Sequence, residues 1–275
     1  MAITAQDVNK LRKMTGAGMM DCKKALTEAD GDFDAAVDII RKRGQAIASK
    51  RADREATEGA VLSRVDATGK RGAIIILNCE TDFVAKNEGF VALASSILDA
   101  ALAAKPADLE ALKALDLGGI TVADKVTEQS GVIGEKIDLS AYDVIEAESV
   151  SAYVHAGNKL ATLVGFNQPS VDAQAGKDVA MQVAAMSPIA VDRNAVDQAT
   201  IDHELEIGKD MARNEGKPEA MLDKIAQGRL NKFFKESTLM EQEFVKDGKM
   251  SIAQYLDGVS KGLAAVSFKR LSLNN

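Results

Sequence analysis

An unbroken apolar run, Ala73, Ile74, Ile75, Ile76 and Leu77, interrupts a chain whose hydrophobic positions otherwise recur mostly at helical spacing. Such a run, ending in Asn78-Cys79-Glu80-Thr81-Asp82, predicts a buried strand that stops at the surface. From Glu88 the period changes. Phe90, Val91, Leu93, Ala94, Ile97, Leu98 and Ala101 mark a helix reaching about residue 104, before Lys105-Pro106. Residues 81–86 are then an exposed elbow between strand and helix, and Phe83 stands on it. Phe83 has two readings here: core folded under the helix, which the bare pattern favours, or an outward anchor for a partner.

Taken in order, the pattern predicts three short helices at the start. Thr4 with Asp7 makes a capping-box-like entry to the first, whose inner face is Val8, Leu11 and Met14. Gly16-Ala17-Gly18 breaks it, and a second helix covers about 19–29. Asp32 caps a third, with Phe33, Ala36, Val37 and Ile40 inside, ending near Gly44. Three helices in so few residues form a small bundle of the ubiquitin-associated (UBA-like) type. Residues 45–58 are polar and read as a partly helical linker that lets this head swing. A hairpin (60–65, then a turn at Thr68-Gly69-Lys70) leads into the buried strand. Beyond the long helix the pattern predicts short helices at 108–115 and 122–131 and strands at 136–139, 144–147 and 149–155.

Then hairpin, apolar strand and helix recur, with the strand at 160–166 and Val179, Met181, Val183, Ala184 and Met186 on the helix. Two helices at 195–214 and 218–236, turned at Gly216-Lys217-Pro218, predict an inserted antiparallel hairpin. A helix at 251–256 and a strand at 263–271 follow. The expected fold is α+β: a UBA-like head with linker at 1–54, related core subdomains at 55–140 and 141–275, and the helical hairpin at about 195–236 within the second.

Composition narrows the function. At 275 residues and 46% hydrophobic, the chain can bury a large core, and no apolar stretch approaches the roughly 18 residues of a membrane span. The N-terminus from Met1 to Asp7 lacks the basic start and apolar segment of a secretory signal, so the expectation is a soluble cytoplasmic protein. Cys22 and Cys79 form no metal-binding spacing or disulfide framework, and the two histidines, His155 and His203, belong to no HExxH. Both cysteines read as reduced and partly buried. The net charge of −7 argues against nucleic acid as the principal ligand. Residues 1–54 nonetheless hold eleven Lys or Arg against eight Asp or Glu, a mildly basic head on an acidic body. Gly16-Ala17-Gly18 lacks the Gly-Lys-Ser/Thr of a phosphate-binding loop, and no nucleophile elbow or triad is present. No enzyme chemistry and no cofactor are expected. His155, alone in Tyr153-Val154-His155, reads by itself as a structural residue.

Two stretches carry a resemblance. Asn78-Cys79-Glu80-Thr81-Asp82-Phe83-Val84-Ala85-Lys86 resembles the central signature of bacterial elongation factor Ts, and the run from Leu11 to Leu26, with Met19-Met20 after the glycine turn, resembles its other signature. The resemblance implies a guanine-nucleotide exchange factor for the translational GTPase elongation factor Tu. It assigns displacement of the GTPase's Mg²⁺ to Asp82 and Phe83, with Thr81 and Val84 beside them in the motif. Further contacts fall to Arg12, Met19, Met20 and Lys23 in the head, to His155, and to Val245. Family members carry a coiled-coil protrusion where the helical hairpin falls, which implies a route to a homodimer or a 2:2 complex with the GTPase. Two departures are visible: Ile76 stands where the family usually has an acidic residue, and Lys246 where Met is often found. The competing reading is a UBA-like adaptor without exchange activity, whose isolated head would bind without the body.

Overall fold

The computed structural model describes residues 3–273. Met1 and Ala2, part of the stretch read above as lacking a secretory start, and the terminal Asn274 and Asn275 lie outside that range. The head is three helices, α1 (Ala5–Thr15), α2 (Met19–Glu28) and α3 (Phe33–Lys50). Thr4 and Asp7 form a reciprocal capping box, and Asp32 accepts the Ala35 N–H at 3.0 Å. The core of the head is small: Val8, Leu11, Ala17, Cys22, Ala25, Leu26, Ala36 and Ile40.

The third helix corrects the expected end at Gly44, continuing to Lys50. Glycine at that point signals a helix end locally. Here it does something else. It lies against Gly131 of a later helix, and the missing side chains let the two backbones approach.

The body begins with β1 (Glu58–Val65) and β2 (Arg71–Cys79), followed by a single turn, α4 (Asp82–Ala85), and the long α5 (Glu88–Ala104). Next come α6 (Leu109–Lys113), α7 (Val122–Ile133) and β3 (Asp138–Glu146). The strands predicted at 136–139 and 144–147 are thus one, with a register shift opposite Ile76 and Leu77. Its polar middle, Ser140 to Asp143, breaks the apolar signal because β3 is an edge strand. Strand β3 also crosses the expected subdomain boundary at 140/141, and all of it belongs to the first sheet, ordered β1-β2-β3 and antiparallel throughout.

The second sheet consists of β4 (Ser149–Val154), β5 (Leu160–Phe166) and, after a long excursion, β8 (Ala265–Ser272), in the order β4-β5-β8. The excursion contains α8 (Ala173–Met186), a 3₁₀ turn (Arg193–Ala195), α9 (Gln198–Asn214), α10 (Glu219–Ser237), the short β6 (Glu243–Phe244) and β7 (Asp247–Ser251), and α11 (Ile252–Val259). Helix α9 starts three residues later than predicted because Asp197 caps it through the Thr200 N–H. In both sheets a hairpin's second strand sits centrally and a later strand closes the far side.

The two sheets face each other across Val61, Ile74, Ile76, Ile145, Val150, Ala161 and Leu163. On its other face β2 presents Ala73, Ile75 and Leu77 to α5, around the buried Phe90, Ile97 and Leu98. With both faces covered, β2 needs no polar alternation. Ile76, the departure from the family pattern, is buried between the sheets. No helix among the described residues is long and apolar enough to cross a membrane.

Candidate functional site

The elbow is shaped by local chemistry at each end. Thr81 caps α4, its hydroxyl accepting the Val84 N–H at 3.4 Å, and Asn87 caps α5 by accepting the Gly89 and Phe90 N–H groups. Within the single turn Ala85 is buried and Val84 half-buried against the first core. The turn geometry then leaves Phe83 facing out: it is 88% exposed, the most solvent-facing of the large hydrophobic side chains among the described residues. The core reading that the bare pattern favoured is thereby replaced. The phenyl ring thus stands in water on a backbone capped on both sides.

Charge surrounds the ring. Lys86 donates to the Asp82 carboxylate at 2.6 Å, and this bond, with a smaller contribution from Lys159, holds the Asp82 carboxyl below the usual range. Asp82 is therefore ionised and solvent-facing at neutral pH. Lys159 pairs with Glu58 at 2.8 Å. It belongs to the β4–β5 turn, where the His155 N–H donates to the Leu160 carbonyl at 2.8 Å and the Val61 N–H of β1 donates to the Asn158 carbonyl at 2.7 Å. Glu58 pairs in register with Cys79 at the end of β2. The structure thus brings the His155 turn and the Asp82-Phe83 elbow to one end of the body. His155 is exposed, its Nδ1 at 2.8 Å from the Tyr153 hydroxyl.

The remaining predicted residues fall elsewhere. Met19, Met20 and Lys23 are exposed on α2 and, with Ile3, Thr4, Ala5, Val8 and Asn9, line a groove of about 320 Å³ in the head; Arg12 is exposed on α1 outside it. Val245, 50% exposed, tips the β6–β7 turn. Its N–H donates to the side chain of Gln182 on α8 at 3.0 Å, and that side chain also donates to the Glu243 carbonyl. The adjacent Lys246 reaches the buried Asp178 at 2.6 Å. Lysine at this position is thus a structural partner for a carboxylate rather than a free cation.

Sequence reading passed over the groups that hold the elbow in place. Glu135 accepts the Glu80 and Thr81 N–H groups and the Thr81 hydroxyl at 3.1, 3.0 and 2.7 Å. Glu80 accepts from the Lys136 N–H at 2.6 Å and from Arg51 at 2.8 Å, with Arg54 at 3.4 Å. Burial opposes ionisation of Glu80, but these bonds outweigh it and hold its carboxyl below the usual value. The segment after α3 is consequently pinned to the body instead of forming the expected swinging linker. No local signal marks these partners, because they lie far apart in sequence.

Comparison with known proteins decides the family. Residues 80–275 match the family model described as Elongation factor TS. The chain belongs to the elongation factor Ts family. It is 56% identical over 273 residues to Elongation factor Ts of Amoebophilus asiaticus, covering 98% of this chain and 99% of that one. It is 55% identical to Elongation factor Ts of Christiangramia forsetii over 273 residues, 98% of each chain. With the Porphyromonas gingivalis protein of the same name it shares 55% over 275 residues, 100% of this chain and 99% of the other. The similarity to an elongation factor Ts runs through head, body and hairpin alike.

Proposed function

We propose that the chain is a guanine-nucleotide exchange factor that binds elongation factor Tu carrying GDP and promotes GDP release during translation elongation in the cytoplasm. The observation that carries this is the exposed Phe83 beside an ionised Asp82 on an elbow whose backbone is capped at both ends. Phe83 wedges into the GTPase next to its metal site, and Asp82 disturbs the Mg²⁺ ligand shell. Thr81 and Val84 flank the wedge, and His155 extends the same surface. Arg12, Met19, Met20 and Lys23 hold the GTPase from the head, and Val245 touches it at a separate corner. In this reading the head is a UBA-like module, and the α9–α10 hairpin is a coiled-coil protrusion through which copies associate as a homodimer or as a 2:2 complex.

The action is by binding alone, and linkage sets its size. A factor that weakens nucleotide binding must itself be bound more weakly when nucleotide is present. Shifting the equilibrium about 10⁴-fold takes roughly 5.5 kcal/mol of differential interaction, whereas burying one Phe supplies about 1.5–3 kcal/mol. Phe83 therefore does not act alone, and head contacts share the differential. Stopped-flow release of a fluorescent GDP analogue from elongation factor Tu tests this: Phe83→Ala should slow stimulated release at least about tenfold, the equivalent of about 1.4 kcal/mol. Release at the unsubstituted rate would reject the wedge.

A further inference from the structure

We infer that Glu135 and Glu80 are positioning residues that tie the head to the Phe83 elbow, so that both partner-facing surfaces act as one body. The inference rests on the exchange reading above. Three chain segments meet in one polar knot: 51–54 after α3, Glu80-Thr81 at the end of β2, and Glu135-Lys136 between α7 and β3. Glu135 fixes the elbow through both backbone N–H groups and the Thr81 hydroxyl. Lys136 works in the other direction. Its N–H donates to Glu80, while its ammonium donates to the Ala52 and Arg54 carbonyls at 2.8 and 3.0 Å. Glu80 completes the link by accepting from Arg51 and Arg54. Its side chain is only 13% exposed, and its bonds to Arg51 and to the Lys136 N–H are partly buried, while the one to Arg54 faces solvent. Glu135 receives three hydrogen bonds from two adjacent residues of the elbow.

The knot lies immediately before Asp82-Phe83. A wedge transmits binding energy only if it does not recoil, so the backbone that carries it has to be held. Helix α7, which leads into Glu135, is also the helix on which α3 of the head packs. Head, α7, Glu135 and elbow therefore form one continuous path.

The test uses the full chain and the stimulated release of a fluorescent GDP analogue. Glu135→Ala should lower the maximal rate about five- to tenfold and leave the half-saturating concentration within about twofold, since the head surface is untouched. Glu135→Gln should recover most of the rate, because its carbonyl oxygen still accepts the two N–H groups. The variant carrying both Phe83→Ala and Glu135→Ala should be no slower than Phe83→Ala alone, because one change acts through the other. An unchanged rate for Glu135→Ala, or losses that multiply in the double variant, overturns the positioning role while a slow Phe83→Ala keeps the exchange reading. A neutral Phe83→Ala overturns both. Should Glu135→Ala lack a cooperative melting transition, Glu80→Gln decides: a rate about threefold lower with melting intact supports the tie, and an unchanged rate overturns it.

Discussion

The approach of α3 to α7 predicts an asymmetry between two glycines. A Cβ on Gly131 would stand 2.1 Å from the Gly44 Cα and 3.0 Å from its carbonyl carbon, whereas a Cβ on Gly44 meets only Gly131 Cα at 3.6 Å and the Glu128 carbonyl at 3.7 Å. The first clash is with backbone and is short of ordinary contact by about 1.3 Å, so the helices must part. Overpacking of this kind costs about 1–3 kcal/mol, against roughly 0.5–1 kcal/mol gained from replacing a helical glycine with alanine. Gly131→Ala should therefore loosen the head by up to about 2.5 kcal/mol, up to about 70-fold in the ratio of docked to undocked head. Gly44→Ala should be neutral or slightly stabilising. The assay is stimulated GDP release from elongation factor Tu together with limited proteolysis of residues 51–57. Gly131→Ala should slow release severalfold and expose that segment, while Gly44→Ala should do neither. Equal behaviour of the two variants would refute the idea that close backbone approach docks the head.

Two further expectations concern buried groups. Burial raises the Asp178 pKa, but bonds from Lys246, Gln174 and Tyr255 outweigh it and leave the carboxyl below its ordinary 3.8. The unfolded chain then binds that proton at higher pH than the folded one. Its stabilisation is present above the ordinary carboxylate value and is lost as pH falls through the depressed one, so in urea unfolding Asp178→Asn should cost about 1–3 kcal/mol at neutral pH and flatten the acid slope below pH 4. An unaltered slope would contradict the assignment. Burial, with the charge of Glu135, pushes the Cys79 thiol up to about 12, and Cys22 is fully buried. At pH 8 a disulfide reagent should find no fast-reacting thiol in the native protein and both thiols after denaturation; rapid native titration of either would count against this packing.

Much of the fold was legible wherever a signal is local. Thr4 and Asp32 cap helices through donors three residues on, and the α5 face from Phe90 to Ala101 follows helical period. The elbow was legible because an apolar run and a helical period meet there. The direction of Phe83 was not legible in the pattern, since it depends on Val84 and Ala85 taking the inward positions of a single turn. Only the resemblance pointed outward. The end of α3 was misread for the same kind of reason: Gly44 looks like a stop until Gly131 is placed against it.

The sequence by itself determined most of the succession of elements and the two stretches by which the chain resembles elongation factor Ts. Those properties are written in contiguous residues and in short periodicities. Tertiary structure decided which surfaces are free and what holds them. It set Phe83 in solvent, placed the His155 turn beside the elbow, and joined Arg51, Glu80 and Glu135 across the chain. Carboxylates find donors by distance in space, and residues 55 positions apart carry no mark of their meeting until the backbone between them is folded.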